Sequence, residues 1–418
     1  MSFLLYPAVL GGKIRAVPSK SSAQRAVVCA ANGDKPVLIP NLPQGEDMEA
    51  ACRCFAALGA VIKQEQQGTV ICPIKDTPAF LKADCGESGA AARFLLPQLA
   101  ARGIKATVLA RGRLTDRPFG PLLAALNSRG AQIEATIAGW QVEGRLRPGE
   151  FRIPGNISSQ FISGLLLALP LLAADSKVRL TTPLQSADYV DMTCYFLEAC
   201  CIDIQRQGDS FLIPGGKGFS PPSHMLIGGD WSNAAFWLTA GCIGSGAVTV
   251  SGLDPDSLQA DRRIVRFLRR MGGRIVENDC SVTAFPSALR GCVIDLADNP
   301  DLLPPLAVAA AFARGETFLI NAGSGRFKES DRIRGVAGLL RSLGGRVEQR
   351  CNNLLIYGTG LIGGNAAVSP DHRIVMAVAV AAASCSRPVR LEYEHSVAKS
   401  YPCFWKDYAM LGGKVNAI

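Results

Sequence analysis

Six copies of one pattern recur along the chain, and they constrain its fold more than any other feature. Each copy is an amphipathic helical stretch that ends at a pair of small residues, followed by a short β-branched run, a polar turn and a second run. A glycine after a helix supplies the left-handed cap that ends it, and two such runs around a polar turn predict a hairpin. The copies occupy residues 55–73, 123–144, 195–215, 266–285, 338–358 and 408–418.

The helix-to-strand junctions fall near residues 59, 130, 200, 272, 344 and 412, a spacing of about seventy residues. In the third copy Cys200 and Cys201 stand where the others have glycine or alanine, which predicts an irregular cap. Three units of this length make a domain of ordinary size, about 200 residues. The repeats therefore predict an α/β protein with two similar domains of three units each. The alternative is one larger α/β sheet with accidental internal similarity.

Composition narrows the class of protein. The chain has 418 residues, 48% of them hydrophobic, and its long apolar stretch at 161–174 is shorter than the roughly 20 residues that cross a bilayer. The first residues lack the basic segment of a signal peptide, so we expect a cytoplasmic protein without membrane association. The 14 cysteines include no CxxC pair and there are three histidines, so we expect free thiols and no metal site.

The formal net charge of +9 permits two interpretations. One is binding to nucleic acid, in which lysine and arginine follow the phosphates. The other is a cleft that collects small anions by focusing positive potential. Basic residues are spread along the chain without a run of five or six, so charge alone does not decide between them.

Polar and charged residues cluster where helices are predicted to begin. A helix N-terminus with a nearby cation or hydroxyl is suited to bind anions, although each cluster alone also fits an ordinary capped helix with solvated charges. Together they indicate a cleft between two domains that holds two small polyanions. The clusters are Lys20, Ser21 and Arg25; Gly89 and Arg93; Arg117; Ser158, Ser159 and Gln160; Asp301; Lys328, Glu329, Asp331 and Arg332; Asp371, His372 and Arg373; and Lys399.

Seven segments occur in an order that resembles the EPSP synthase (3-phosphoshikimate 1-carboxyvinyltransferase) family. They are PSKSxxxR, GxSGxxxR, RP before an amphipathic helix, SSQF, KESDR, DHRIxMA and AKSYP, and they run from Lys20 to Pro402. The resemblance implies two domains, each of three βαβαββ units in an inside-out α/β barrel, with the active site in the interdomain cleft. It implies domain boundaries at 19–228 and at 1–18 plus 229–418, with the chain crossing twice between them.

The same resemblance implies an activity. The enolpyruvyl group of phosphoenolpyruvate passes to the 5-hydroxyl of shikimate 3-phosphate, in a monomer that needs no metal or organic cofactor. Glu329 gives a proton to C3 of phosphoenolpyruvate and later removes one, Asp301 accepts the hydroxyl proton, and Lys20 and Lys399 stabilise the departing phosphate. Tyr189 matches an aromatic residue that packs near the shikimate ring.

The resemblance also implies which residues bind each substrate. For shikimate 3-phosphate they are Lys20, Ser21, Arg25, Ser158, Ser159, Gln160, Ser186, Asp301, Ser324 and Lys328. For phosphoenolpyruvate they are Lys20, Gly89, Arg117, Gln160, Arg332, Arg373 and Lys399. The chain departs from residues common in the family at Glu87, Ala90 and Ser324, and Glu87 adds negative charge beside the expected phosphoenolpyruvate site.

Two other functions compete with this one. The related UDP-N-acetylglucosamine enolpyruvyl transferases usually carry a cysteine in the loop before their RP motif, and the loop here, ARGRLTDRP, has none. A relative that only binds anions or nucleic acid would more often have lost Lys20, Glu329 or Lys399, and all three are present.

Overall fold

The computed structural model describes residues 2–418, in which lie the following strands and helices. The strands are β1 (Ser2–Tyr6), β2 (Gly12–Arg15), β3 (Val37–Ile39), β4 (Val61–Glu65), β5 (Gly68–Cys72), β6 (Phe80–Asp84), β7 (Lys105–Leu109), β8 (Ala131–Thr136), β9 (Gly139–Gly144), β10 (Glu150–Ile153), β11 (Ser176–Leu180), β12 (Gln205–Gln207), β13 (Ser210–Ile213), β14 (Val248–Ser251), β15 (Arg274–Asn278), β16 (Ser281–Phe285), β17 (Val293–Asp295), β18 (Glu316–Ile320), β19 (Arg346–Arg350), β20 (Asn353–Tyr357), β21 (Gly364–Asn365), β22 (Val389–Glu392) and β23 (Lys414–Ala417). The α-helices are α1 (Lys20–Ala31), α2 (Glu46–Ala57), α3 (Gly89–Arg102), α4 (Gly120–Asn127), α5 (Ser159–Ala168), α6 (Ala187–Glu198), α7 (Trp231–Ile243), α8 (Ile264–Arg270), α9 (Leu303–Phe312), α10 (Arg332–Ser342), α11 (His372–Ser384) and α12 (Phe404–Met410). Short 3₁₀ helices lie at Gly112–Leu114, Leu169–Leu171, Ala260–Arg263, Pro300–Leu302, Gly323–Phe327 and Glu394–Lys399.

The strands form six small sheets that repeat one topology. In the sheet β10-β11-β13-β12, the first pair is parallel and the other two pairs are antiparallel. The same plan recurs in the sheets β6-β7-β9-β8, β17-β18-β20-β19, β21-β22-β1-β23 and β2-β14-β16-β15. The sixth sheet has three strands, β3-β5-β4, and a parallel bridge between Leu38 and His224 stands where the other sheets have their first strand. The predicted βαβαββ repeat is thus confirmed.

The backbone explains why the repeat could be recognised from its glycines. In five of the six copies, one glycine at the helix-to-strand junction has a positive φ, a conformation that glycine adopts without steric cost. These are Gly59 at 114°, Gly130 at 104°, Gly272 at 90°, Gly344 at 87° and Gly412 at 99°. In the third copy Cys201 takes this role with a φ of 63°, so the irregular cap predicted there is a cysteine in the left-handed region.

The chain divides into two compact units, each with its own core. The first unit is Pro18–Ile227, and the second comprises the residues up to Val17 together with Gly228–Ile418. In the first unit α3 and α5 pack against each other and are buried along nearly their whole length. In the second unit α7, α9 and α11 do the same.

The sheets of each unit lie outside these helices, and their strands alternate between buried and exposed residues, as in β8 and β15. A helix that is apolar on all sides must be enclosed, and a sheet with one wet face can enclose it. Each unit is therefore an α/β barrel turned inside out. Within residues 2–418, none of the helices has both the length and the apolar character that a bilayer crossing requires.

Candidate active site

In the first unit, the start of α1 presents a lysine that is held by an acidic partner. Lys20 is the first residue of the helix, and the Ser19 side chain caps it by accepting a hydrogen bond from the Ser22 amide. The Lys20 ammonium lies 2.6 Å from the Asp47 carboxylate at the start of α2. Both side chains are largely buried, so this ion pair is shielded from solvent and fixes the ammonium in one position.

Arg25 lies further along α1 and points into the first unit. Its Nε donates to Thr193 Oγ1 at 2.7 Å, and its Nη2 donates to Ser163 Oγ at 3.2 Å and to the Tyr189 carbonyl at 2.8 Å. Its Nη1 donates to the Ser21 carbonyl at 2.7 Å. Burial lowers the pKa of Arg25 to about 10, so the group stays charged at neutral pH. The interpretation of this helix start as one with solvated charges is therefore wrong for Arg25, which ties α1 to α5 and α6.

Two guanidinium groups lie at the N-terminus of α3. Gly89 is the first residue of this helix, and a Cβ at that position would lie 2.6 Å from Arg117 Nη1 and 2.9 Å from Arg93 Nη1. Arg93 is buried and donates to Gln160 Oε1 at 2.8 Å. Both cations lie beside the first residue of α3, where the helix dipole is also positive. Such a concentration of positive charge favours binding of an anion.

The remaining predicted residues of the first unit also lie at helix starts. Ser158 caps α5 by accepting a hydrogen bond from the Gln160 amide, and Ser159 is the first residue of that helix. Ser186 directly precedes α6 with a φ of 54°. These seryl and glutamine side chains are therefore placed at the starts of two helices, α5 and α6.

In the second unit, Arg332 joins three carboxylates. It is the first residue of α10, and 1% of its side chain is exposed. Its Nε lies 2.9 Å from Asp371, its Nη2 lies 2.6 Å from Glu329, and its Nη1 contacts Asp301. Burial alone would lower the pKa of Arg332, but the charges of Asp371, Glu329 and Asp301 raise it above its ordinary value.

Asp301 is correspondingly surrounded by cations. Besides Arg332, it is approached by Lys328 Nζ at 3.3 Å and by Arg373 Nη2 at 3.3 Å. Burial alone would raise the pKa of Asp301, but the charges of Arg373, Lys328 and Arg332 outweigh it and hold the pKa well below its usual range. Asp301 is therefore ionised at neutral pH, and its basicity depends on how firmly these cations hold it.

Arg373 and Lys399 are also buried in the second unit. Arg373 is the second residue of α11, whose N-cap is Asp371, and Lys399 is the last residue of the 3₁₀ helix that precedes α12. Ser324 lies in the 3₁₀ helix before α10, and its buried hydroxyl finds no hydrogen-bond partner among residues 2–418. A ligand group could satisfy that hydroxyl.

One acidic residue of this cluster, Asp261, was not predicted from the sequence. It lies in the 3₁₀ helix that leads into α8, is fully buried, and accepts a hydrogen bond from the Ser232 hydroxyl. Burial, with a further contribution from Asp301, raises the pKa of Asp261 to about 6. Because Arg262 and Arg263 follow it directly, its sequence neighbourhood is typical of a charged surface turn and carried no signal of burial.

The chemistry that these groups support is anion binding combined with proton transfer. Each unit places lysine and arginine side chains at helix starts, and the second adds the carboxylates of Asp301 and Glu329 within reach of the same arginine. Among residues 2–418, no cluster of three or more His, Cys, Asp or Glu side chains is arranged to hold a metal ion.

Comparisons with known proteins agree on one family. The model of the EPSP synthase (3-phosphoshikimate 1-carboxyvinyltransferase) family matches residues 6–408. A protein from Clostridium kluyveri named 3-phosphoshikimate 1-carboxyvinyltransferase is 38% identical over 419 residues, covering 98% of this chain and 97% of that protein. A protein of the same name from Clostridioides difficile is 35% identical over 432 residues, covering 99% of this chain and 98% of that protein.

Solved structures show the same fold. An EPSP synthase from Acinetobacter baumannii superimposes with a TM-score of 0.84 at 24% identity, over 100% of both chains. The enolpyruvyl transferase NikO from Streptomyces tendae superimposes with a TM-score of 0.78 at 19% identity, over 99% of this chain and 98% of the other. The predicted architecture of two three-unit inside-out α/β barrels is confirmed.

Proposed function

Because the chain belongs to the EPSP synthase family, we propose that it transfers the enolpyruvyl group of phosphoenolpyruvate to the 5-hydroxyl of shikimate 3-phosphate and releases phosphate. The observation that carries the proposal is the pair of carboxylates on Arg332. Asp301 and Glu329 contact the same guanidinium from two sides, and Lys328 and Arg373 also contact Asp301. This arrangement supplies two proton-transfer groups within a strongly cationic surrounding, which two anionic substrates require.

The reaction proceeds by addition and then elimination. In the addition, a proton is added to C3 of phosphoenolpyruvate while the shikimate hydroxyl oxygen bonds to C2 and gives up its own proton. In the elimination, a proton leaves C3, the bond from C2 to the phosphate oxygen breaks, and the double bond is restored. Two proton-transfer groups and a means of stabilising phosphate account for every step, and side chains of this chain can supply both without a metal or organic cofactor.

We assign the C3 proton to Glu329 and the hydroxyl proton to Asp301. The contact of 2.6 Å with Arg332 fixes the position of the Glu329 carboxylate. Asp301 is a weak base while Arg373, Lys328 and Arg332 hold its pKa low. Anionic substrates bound to Arg373 and Lys328 would share these charges, raise the pKa of Asp301 and make it a better proton acceptor.

Phosphoenolpyruvate is assigned cationic and hydrogen-bonding residues in each unit. In the first unit these are Lys20, Arg117, Gln160 and the amides at Gly89, and in the second they are Arg332, Arg373 and Lys399. Lys20 is anchored by Asp47, and Arg117 lies against the N-terminus of α3. Guanidinium groups bind carboxylate and phosphate in a bidentate manner, which orients the substrate as well as attracting it.

Shikimate 3-phosphate is assigned mainly hydroxyl and lysine contacts. They come from Lys20, Ser21, Arg25, Ser158, Ser159, Gln160, Ser186, Asp301, Ser324 and Lys328. The buried and unsatisfied hydroxyl of Ser324 supports its place in this set. Most N–H donors of Arg25 form hydrogen bonds with protein groups, so we assign this residue chiefly to holding α5 and α6 in place beside the ligand.

The direct test is phosphate release from purified protein given phosphoenolpyruvate, with and without shikimate 3-phosphate. Release that requires shikimate 3-phosphate would support the proposal, and release without it would contradict it. UDP-N-acetylglucosamine serves as the control acceptor, because it is the substrate of the related transferases. Those enzymes usually carry a cysteine in the loop that corresponds to residues 110–118, and this chain has none there. Turnover with that acceptor alone would favour the related activity instead.

A further inference from the structure

The segment before α8 in the second unit connects two parts of the candidate site. The Gln259 side chain donates to the Gly229 carbonyl at 2.7 Å and accepts from the Trp231 amide at 3.0 Å, so it holds the start of α7. The next residue, Ala260, accepts through its carbonyl from the Asn299 side chain at 2.7 Å. Asn299 is the N-cap of the 3₁₀ turn that carries Asp301. The segment is therefore fixed to α7 on one side and to the Asp301 turn on the other.

Asp261 is the following residue, and Ser232 links it to Arg373. The Ser232 hydroxyl donates to the Asp261 carboxylate, and the Ser232 carbonyl accepts from Arg373 Nη1 at 3.5 Å. The other terminal nitrogen of Arg373 lies 3.3 Å from Asp301. The positive charge of Arg373 is thus attracted most strongly by Asp301, and in addition by Asp261 and Asp230.

We propose that Asp261 is a positioning residue that holds the guanidinium of Arg373 where it can bind phosphoenolpyruvate. The inference rests on the proposed function, in which Arg373 binds this substrate. Asp301 already acts on Arg373 more strongly than Asp261 or Asp230 does, and loss of the Asp261 charge leaves less attraction to oppose it. The guanidinium then closes onto Asp301, which withdraws it from the substrate. Asp261 itself touches no substrate in this scheme and acts only through Arg373 and Ser232.

The pH dependence of the KM for phosphoenolpyruvate distinguishes this role of Asp261 from a purely structural one. Burial raises its pKa to about 6, and the groups that face it are Asp301, Arg373, Asp230 and the Ser232 hydroxyl. As the pH falls through this value, Asp261 loses its charge and the attraction that balances Asp301 is lost. The KM for phosphoenolpyruvate in the wild-type enzyme should then rise towards that of a variant without the carboxylate.

The test uses Asp261→Asn, which keeps a hydrogen-bond acceptor for Ser232 but removes the charge. Ser232→Ala removes the linking hydroxyl and keeps the charge, and it serves if Asp261→Asn fails to fold. Asp256→Asn is the matched control, because it neutralises an exposed carboxylate a few residues upstream. We measure the KM for each substrate and kcat between pH 5.5 and 8. We also measure thermal unfolding of each variant, and its dissociation constant for phosphoenolpyruvate by calorimetry.

At pH 7.5 we expect the KM for phosphoenolpyruvate of Asp261→Asn to rise about tenfold, the size expected when a charge-assisted contact is lost. The KM for shikimate 3-phosphate should stay within about twofold. Phosphate monoesters also titrate near pH 6, so the KM of either enzyme for phosphoenolpyruvate can change with pH for that reason alone. The informative quantity is therefore the KM of the variant divided by that of the wild type, and this ratio should approach one as the pH falls. An unchanged KM, a ratio independent of pH, or equal losses for both substrates would overturn the inference.

Calorimetry separates this inference from the proposed function. A wild-type protein that binds phosphoenolpyruvate but releases no phosphate would reject the proposed reaction, while weaker binding by Asp261→Asn would still support the role of Asp261. A wild-type protein that does not bind phosphoenolpyruvate would overturn the inference as well.

Discussion

Arg332 and Asp371 form a bidentate ion pair in the interior of the second unit. Arg332 Nε lies 2.9 Å from one carboxylate oxygen of Asp371, and Nη2 lies 3.3 Å from the other. The same carboxylate accepts hydrogen bonds from the Ser330 hydroxyl at 2.8 Å and from the Arg373 amide at 3.0 Å. A single aspartate therefore orients both arginines of the second unit to which we assign phosphoenolpyruvate, Arg332 through its guanidinium and Arg373 through the helix cap.

This arrangement predicts the effect of Asp371→Asn. The change removes one of three charges from a buried arginine, and breaking such a pair costs about 3–5 kcal/mol. We expect a loss of this size in the free energy of unfolding, measured by denaturant titration, and a higher KM for phosphoenolpyruvate. Asp279→Asn, at an exposed hairpin turn, should change stability by less than about 0.5 kcal/mol. Equal stability of the two variants would contradict the structural importance of the Arg332–Asp371 pair.

Gly89 predicts a change that affects binding more than stability. In Gly89→Ala the new methyl would lie 2.6 Å from Arg117 Nη1, so that flexible side chain has to move away from the start of α3. We expect the KM for phosphoenolpyruvate to rise about tenfold while the free energy of unfolding changes little. The measurement is steady-state phosphate release at varied phosphoenolpyruvate concentration.

Gly120→Ala is the matched control, because Gly120 is also the first residue of its helix and a Cβ there meets nothing within 4 Å. Its KM should equal that of the wild type. A similar rise in both variants would show that the effect comes from the helix start in general rather than from Arg117.

The repeat and the helix starts could be predicted from the sequence because both depend on local chemistry. A glycine at a helix end and a hydroxyl or carboxylate at a helix start act within a few residues, as Gly344 and Asp331 do at the two ends of α10. Apart from Arg25 and Arg93, which lie further along α1 and α3, the predicted site residues accordingly lie at a helix start, in a short 3₁₀ helix or in an adjacent loop.

The contacts that define the site could not be predicted in this way, because they join residues far apart in the chain. Arg25 bonds to Thr193, a separation of 168 residues, and nothing near Arg25 in the sequence shows that α5 and α6 will bury it. Asp261 was missed for the same reason, since its partners Ser232 and Arg373 come from other helices. Burial of a charge is a property of the fold, and the sequence pattern around the charge does not reveal it.

Glu329→Gln tests the proposed acid and base at C3. Glutamine keeps an acceptor for Arg332 but cannot exchange the proton, so we expect phosphate release to fall by about 10²–10⁴-fold. Binding of shikimate 3-phosphate, measured by calorimetry, should be preserved. Glu316→Gln, at an exposed strand end, should keep full activity. An active Glu329→Gln enzyme would rule out the assigned role.

Asp261→Asn should also change stability in a manner that depends on pH. The folded state raises the pKa of Asp261 from 3.8 to about 6, so the side chain favours folding below about pH 4, and this contribution is lost as the pH rises through 6. At pH 7.5 the buried charge then lowers the free energy of unfolding by up to about 3 kcal/mol, and at pH 5 by about half of that. Asparagine carries no charge, so the variant should be more stable than the wild type at pH 7.5 and its advantage should shrink at pH 5. Denaturant titrations at the two pH values, with Asp256→Asn as control, measure the difference. A variant that is less stable at pH 7.5, or equally stabilised at both, would show that Asp261 carries no such cost. A gain in stability accompanied by weaker binding of phosphoenolpyruvate is the combination expected of a charge that is retained for function.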